Sequence, residues 1–244
     1  MHAGSALSPD PAEVVGLTAA RVRVLAAIAA ACGRAGRDPA GVTLVAVSKT
    51  VPPERLRAAV AAGLDVLGEN RVQEAATKIP LVAGARWHLV GPLQANKARR
   101  ALELFDVLEA VASVELARRL DRLAAEVRPG HPIPVLLEIN VDADPAKAGL
   151  APLDVAAAMP AILALPNLAV RGLMTIGRLV AAPEEARATF GALRALSEEL
   201  RARWPALGAE LSMGMSDDYE VAVEEGATIV RVGRAIFGAR PTAE

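Results

Sequence analysis

Leu44-Val45-Ala46-Val47-Ser48-Lys49, followed at once by Thr50-Val51-Pro52-Pro53, is a short apolar run closed by two prolines. β-Branched residues in a run of this length, stopped by proline, form a buried strand. The lysine at the end of that strand then stands at the strand's C-terminal mouth. Burial penalises an ammonium, lowers its pKa and frees a nucleophilic amine. The competing reading is a lysine that stretches its stem along the strand end and leaves its charge in water.

The same pattern returns along the chain. Strand-like runs fall near 43–48, 65–68, 86–90, 106–109, 134–141, 168–174, 209–213 and 228–232. Helical runs lie between them, at 53–62, 69–78, 94–104, 113–126, 151–164, 183–204 and 217–225. The clearest is 183–204, where Phe190, Leu193, Ser197, Leu200 and Trp204 recur at helical steps after Pro183. A first helix spans Ala12 to Cys32, with Asp10 as cap, Pro11 in its first turn and Gly33 as its stop. Its apolar stripe is Val14, Leu17, Val24, Leu25 and Ile28. Alternating strands and helices imply an α/β fold, specifically a (β/α)8 TIM-type barrel with an extra N-terminal helix. An open doubly wound sheet is the rival.

Bulk properties narrow the function. The 244 residues carry a net charge of −1, so no basic footprint points to nucleic acid. Hydrophobic residues make up 53%, enough for a sizeable core. No apolar stretch is expected to approach a membrane span. Residues 1–10 read as a flexible tail with no signal-peptide pattern, and 11–244 as one barrel domain. The single cysteine, Cys32, excludes an intramolecular disulfide and fits a reducing cytoplasm.

A barrel demands that chemistry sit on the loops after its strands. Polar and small residues do gather there: Lys49, Glu69-Asn70, Trp87-His88, Ser212 to Ser216, and Arg231 to Gly233. Alternation puts Ile229, Arg231 and Gly233 on one face. A buried arginine needs a partner, either a carboxylate or a ligand atom such as a pyridine nitrogen. Gly233 and Arg234 open a turn whose N–H groups could receive an anion. Ser216 is either an N-cap or a phosphate donor, and Asp217 with Glu220 could form a capping box. Glu69 and Asn70 read equally as helix caps. His88 reads as a satisfied core residue. The scattered His2, His88 and His131 have no metal-ligand spacing. No P-loop, dinucleotide fingerprint or nucleophile elbow is present. An amine beside an anion site is the arrangement a phosphorylated aldehyde such as pyridoxal 5'-phosphate (PLP) requires.

The strings LVAVSKT, GENRVQE, WHLVGPLQANK, INVDADPAKAG, RGLMTIG, LSMGMSDDYEVAVEEGATIVRVG and AIFGAR, in this order, closely resemble the pyridoxal phosphate homeostasis protein family. That family is similar in fold to the N-terminal barrel of alanine racemase. The resemblance spans roughly residues 41 to 240. It implies PLP as a Schiff base on Lys49, Arg231 facing the pyridine nitrogen, and phosphate held by Ser216, Gly233 and Arg234, with Asn70 near the cofactor. Two positions depart from the family pattern: Arg234, where a small hydroxyl residue is common, and Arg71, where an aromatic is common.

A ring nitrogen facing a permanently charged guanidinium stays unprotonated and is a weak electron sink. Racemases with such a ring take a tyrosine from a second domain. This sequence runs to Glu244, soon after strand eight, and its sole tyrosine, Tyr219, reads as structural. The expectation is a PLP carrier in vitamin B6 homeostasis, passing cofactor to PLP-dependent apoenzymes, monomeric or weakly dimeric. The alternative is a minimal amino-acid racemase. A more distant one is a barrel binding another phosphorylated small molecule.

Overall fold

The computed structural model describes residues 9–178 and 180–239. The expected tail therefore lies almost wholly outside the described residues. Eight parallel strands close into a barrel in sequence order. They are β1 (Thr43–Val47), β2 (Val66–Glu69), β3 (Arg86–Leu89), β4 (Val107–Val111), β5 (Ile133–Glu138), β6 (Leu168–Met174), β7 (Glu210–Ser212) and β8 (Ile229–Val232). The last strand pairs with the first, Val45 opposite Arg231, which excludes the open sheet. Helix α1 (Pro11–Arg34) precedes the barrel. Then come α2 (Pro53–Ala61), α3 (Val72–Lys78), α4 (Ala98–Leu104), α5 (Val114–Val127), α6 (Pro152–Leu163), α7 (Arg187–Arg203), α8 (Tyr219–Glu224) and α9 (Arg234–Phe237).

Helix α1 starts as its sequence dictates: the Ala12 N–H donates to the Asp10 carboxylate at 2.9 Å. Its stop differs. The helix runs through Gly33, and Gly36 at φ +64° ends it, with the Arg37 N–H returning to the Cys32 carbonyl at 2.9 Å. Gly36, not Gly33, occupies the left-handed position that closes such a motif. By length and composition α1 could cross a membrane, contrary to expectation. Its Leu17, Ala20, Val24, Ile28, Ala31 and Cys32 are nevertheless buried in the protein core. Burying one Leu or Ile side chain contributes about 1.5–3 kcal/mol.

The barrel interior has its own core. Val45, Val90, Ala110, Leu136, Met174 and Ile229 come from six different strands or strand ends and meet in one cluster. Only the inside of a closed barrel can bring them together.

Helices 3, 4, 7 and 8 begin later than the apolar spacing suggests. Residues 69–71, 95–97, 183–186 and 217–218 instead form strand ends, turns or short 3-10 segments. All these late starts follow strands at the C-terminal mouth, where loops have to present side chains inward before the helix can begin.

Candidate functional site

Val45 belongs to the inner cluster, and strand alternation carries that face through Val47 to Lys49. Lys49 is half-buried at the mouth. Thr50, immediately after it, has φ +66°. For a β-branched residue this left-handed conformation costs about 1–3 kcal/mol.

A buried ion cluster lies beneath this loop. The Lys78 ammonium donates to the Ser48 carbonyl at 2.8 Å, to Glu69 Oε1 at 2.7 Å and to Glu74 Oε1 at 2.6 Å. Three donors meet three acceptors, which is the full capacity of an ammonium. The Glu69 carboxylate also accepts from the Ser48 hydroxyl at 2.7 Å. Burial pushes the Glu69 carboxyl up, while Lys78 and Ser48 pull it back. Burial also pushes Glu74 up, but bonds from Lys78 and the Thr50 amide outweigh that and leave it below the ordinary carboxylate value.

The opposite flank is built around Arg231. Its guanidinium is buried and donates to the Ser212 hydroxyl at 2.6 Å and to the Thr175 carbonyl at 2.9 Å. Ser212 in turn donates to Glu109 at 2.5 Å, and Glu109 bonds His88 Nδ1 at 2.5 Å. Strands β4 and β7 are not neighbours, so the Glu109–Ser212 bond has to cross the barrel interior. Register shifts between Leu108 and Val111, which lets the consecutive residues Glu109 and Ala110 both turn inward. Burial pushes Glu109 up, yet His88, Arg231 and Ser212 hold it below the ordinary value. Burial also lowers Arg231, opposed by Glu109, Asp218 and Glu138. The partner question for Arg231 thus has a compound answer: the carboxylate binds it through a serine, and these bonds engage two of its five donors.

His88 is engaged through Nδ1 as a core residue, while its buried Nε2 has no hydrogen-bond partner among the described residues. Glu138, on β5, is also buried; its Oε2 has no hydrogen-bond partner among the described residues, and burial pushes its carboxyl up while Arg231 pulls it down.

The anion side of the mouth follows β7 and β8. Gly214 has φ +89°, and a Cβ there would lie 2.5 Å from the Ala222 methyl and 2.9 Å from Tyr219 Cα. Only glycine makes this tight exit from β7, and it brings Ser216 beside β8. The Gly233 N–H donates to Ser216 Oγ at 3.2 Å. That N–H is therefore already used, and the Ser216 proton is the group directed elsewhere. Ser216 is not an N-cap. Asp218 takes that position in α8 without a side-chain cap bond, and accepts instead from the Met215 N–H at 2.6 Å. No Asp217–Glu220 capping box forms, because Asp217 pairs with the exposed Arg234 side chain. Asn70 and Glu69 do not cap α3 either. Arg71 stands at its N-cap without a side-chain bond, and Glu69 ends β2. Asn70 Oδ1 is buried without a hydrogen-bond partner among the described residues, and Gly91 lets β3's exit pass closely, since a Cβ there would lie 2.5 Å from the Asn70 carbonyl.

Comparison with known proteins identifies the lineage. Residues 25–241 match the model of the alanine racemase N-terminal domain. The pyridoxal phosphate homeostasis protein of Pseudomonas aeruginosa is 45% identical over 223 residues, covering 89% of this chain and 93% of that protein. The chain belongs to the pyridoxal phosphate homeostasis protein family. The Escherichia coli member is 43% identical over 225 residues, covering 87% of this chain and 92% of its own. PipY of Synechococcus elongatus, solved with PLP bound, is 42% identical with a TM-score of 0.76, covering 86% of this chain and 100% of that one. Alanine racemase of Clostridium difficile, at 13% identity and a TM-score of 0.71, covers 93% of this chain and 57% of that one and shares the fold alone.

Within this family barrel, strand alternation alone brings Ile229 and Arg231 to one inner face, with Gly233 just past the end of β8 and Lys49 just past the end of β1. Glu109, Ser212 and Thr175 escape a reading based on alternation, because a bulge and contacts across the barrel assemble them. Lys78 escaped because a helix-end lysine reads as a surface charge. Its four-residue spacing from Glu74 was the available signal.

Proposed function

We propose that this chain binds PLP at the barrel mouth as a Schiff base on Lys49 and serves intracellular vitamin B6 homeostasis without turnover. The observation that carries the reading is the pairing of β1 with β8, which sets Val45 opposite Arg231 and leaves Lys49 two residues past the end of β1, within a family whose PipY member holds PLP. The residues fit such a group. Ser216 keeps a donor for phosphate, with Gly233 and Arg234 at the first turn of α9. Asn70 contributes a buried, unpartnered oxygen beside the mouth. Arg231 retains donors for a ring nitrogen. When bound, PLP supplies an electrophilic aldehyde and an electron-withdrawing ring.

The protein's own residues argue for holding rather than turning over. Arg231 offers hydrogen bonds but no transferable proton at neutral pH. Its chain through Ser212 to Glu109 and His88 runs into the interior and fixes the guanidinium. The ion pair between Arg234 and Asp217 leaves the phosphate contact there to the backbone. The remaining parts of the reading are one barrel domain over 11–244, a cytoplasmic location, a monomer or weak homodimer, PLP-dependent apoenzymes as recipients, and no nucleic-acid or membrane partner.

A minimal racemase is the second reading, and Glu138 is the observation that favours it. A buried carboxyl with an unpartnered oxygen and a raised pKa is a usable acid. Incubation of the PLP-loaded protein with single amino-acid enantiomers separates the two. The carrier reading expects no sustained racemisation. Sustained racemisation that is lost on Lys49→Ala overturns it.

A further inference from the structure

Lys49 is joined to its neighbours by two peptide groups, and both end on the same cluster, buried at Lys78 and half-buried at Glu74. The carbonyl of the peptide before it, that of Ser48, accepts from the Lys78 ammonium at 2.8 Å. The N–H of the peptide after it, that of Thr50, donates to Glu74 Oε1 at 2.6 Å. Lys78 and Glu74 are themselves bonded at 2.6 Å, one turn apart on α3. The cluster therefore clamps the backbone on each side of a single residue. Thr50 adds a second sign of constraint, because its φ of +66° is one that a β-branched residue avoids unless it is held. Lys78 is buried, and Glu69 completes its shell at 2.7 Å. An exposed pair of this spacing would contribute little. Here the ammonium is buried, the Glu74 carboxylate is half-buried, and a cation with every donor used fixes geometry.

We propose that Lys78 and Glu74 are positioning residues for Lys49, orienting its backbone so that the amine enters the mouth ready to condense with an aldehyde. The proposal rests on the reading that Lys49 carries the cofactor. In that condensation the nitrogen of the neutral amine replaces the aldehyde oxygen, which leaves as water with both amine protons. Neither Lys78 nor Glu74 takes part in it. They fix where the nitrogen starts.

The test uses the full chain and PLP itself. Four proteins are compared in the wild-type background: unmodified, Glu74→Ala, Glu74→Gln, and the double variant Lys78→Met with Glu69→Gln. The double variant removes Lys78 and the fully buried Glu69 together, so that the one carboxylate that loses its cation is the partly solvated Glu74, yet it also removes the donor to Ser48. Each is titrated with PLP by absorbance, reduced with borohydride, and mapped for the modified peptide. Melting is followed without PLP. Glu74→Ala and the double variant are expected to weaken PLP association about tenfold at temperatures well below their melting. Glu74→Gln keeps an oxygen for the Thr50 N–H and is expected to lose about threefold or less.

A cycle in the Lys49→Ala background separates positioning from general damage. There the Glu74→Ala change should leave residual, non-covalent PLP affinity unchanged. The proposal is overturned if Glu74→Ala and the double variant bind like wild type, or if the Glu74→Ala loss is equally large without Lys49. An unmodified protein with no adduct on Lys49 removes the cofactor reading itself, and this inference with it. Loss confined to the variants, with the adduct intact in the unmodified protein, supports both.

Discussion

The two flanks of the barrel mouth each bury a cation, and they secure it in opposite ways. Lys78 touches its carboxylates directly, at 2.7 and 2.6 Å, and spends every donor on protein acceptors. Arg231 reaches Glu109 only through the Ser212 hydroxyl and spends two donors. A cation bonded to capacity holds structure. A cation held at one remove stays charged and oriented while keeping donors for something else. On the readings proposed above, this contrast assigns Lys78 to the loop that carries Lys49, and Arg231 to whatever enters the mouth.

The largest expected effect sharpens this contrast. Lys78→Met leaves Glu69 buried with only the Ser48 hydroxyl, and should cost about 3–5 kcal/mol of stability in urea unfolding. Arg231→Met leaves Glu109 with both His88 and Ser212, and should cost less stability while weakening PLP binding. Equal stability losses would break the distinction. Next in size, Glu109→Gln removes the charge behind Arg231 and one strong bond. It should lower stability by about 1–3 kcal/mol and reduce PLP affinity, since Arg231 loses its orientation. Unfolding and PLP titration of the same preparation check both.

The pH responses come next. Glu74 has a folded-state pKa below its ordinary value of 4.5. Its contribution is therefore complete above about pH 4.5 and is lost as pH falls through the lower, folded value. Glu74→Gln should flatten that acid limb in denaturation measured from pH 6 downward. Glu138 runs the other way. Its pKa is raised, so its contribution is present below 4.5 and is lost as pH rises through the folded value. Glu138→Gln should therefore raise stability at neutral pH by up to about 1 kcal/mol and leave it unchanged near pH 4, the smallest of these effects. A loss at neutral pH would mean that Glu138 is ionised and paired.

Much of this molecule was legible in its sequence, for a physical reason. Parallel barrel strands are buried on both faces, so runs such as 44–47 and 135–137 stand out as continuous apolar segments. Alternation along β8 then carries Arg231 to the inner face, where it meets Ser212 and Thr175. The parts that were not legible depend on closure. Glu109 faces inward through a bulge that no periodicity announces, and its bond to Ser212 joins strands 103 residues apart. The capping alternatives at Asn70 and Ser216 failed because local propensity favours caps at those positions, while the mouth places the residues before the helix begins. Gly33 and Gly36 show the same limit on a smaller scale: both suit a helix end, and only three-dimensional context chooses.

The claim on which the rest depends is that Lys49 is the point of covalent attachment. Borohydride reduction of the PLP-treated protein, followed by proteolysis and peptide mass mapping, tests it most directly. The account predicts a pyridoxyl adduct on the peptide containing Lys49, absent from Lys49→Ala. An adduct confined to other lysines, or none at saturating PLP, would contradict it.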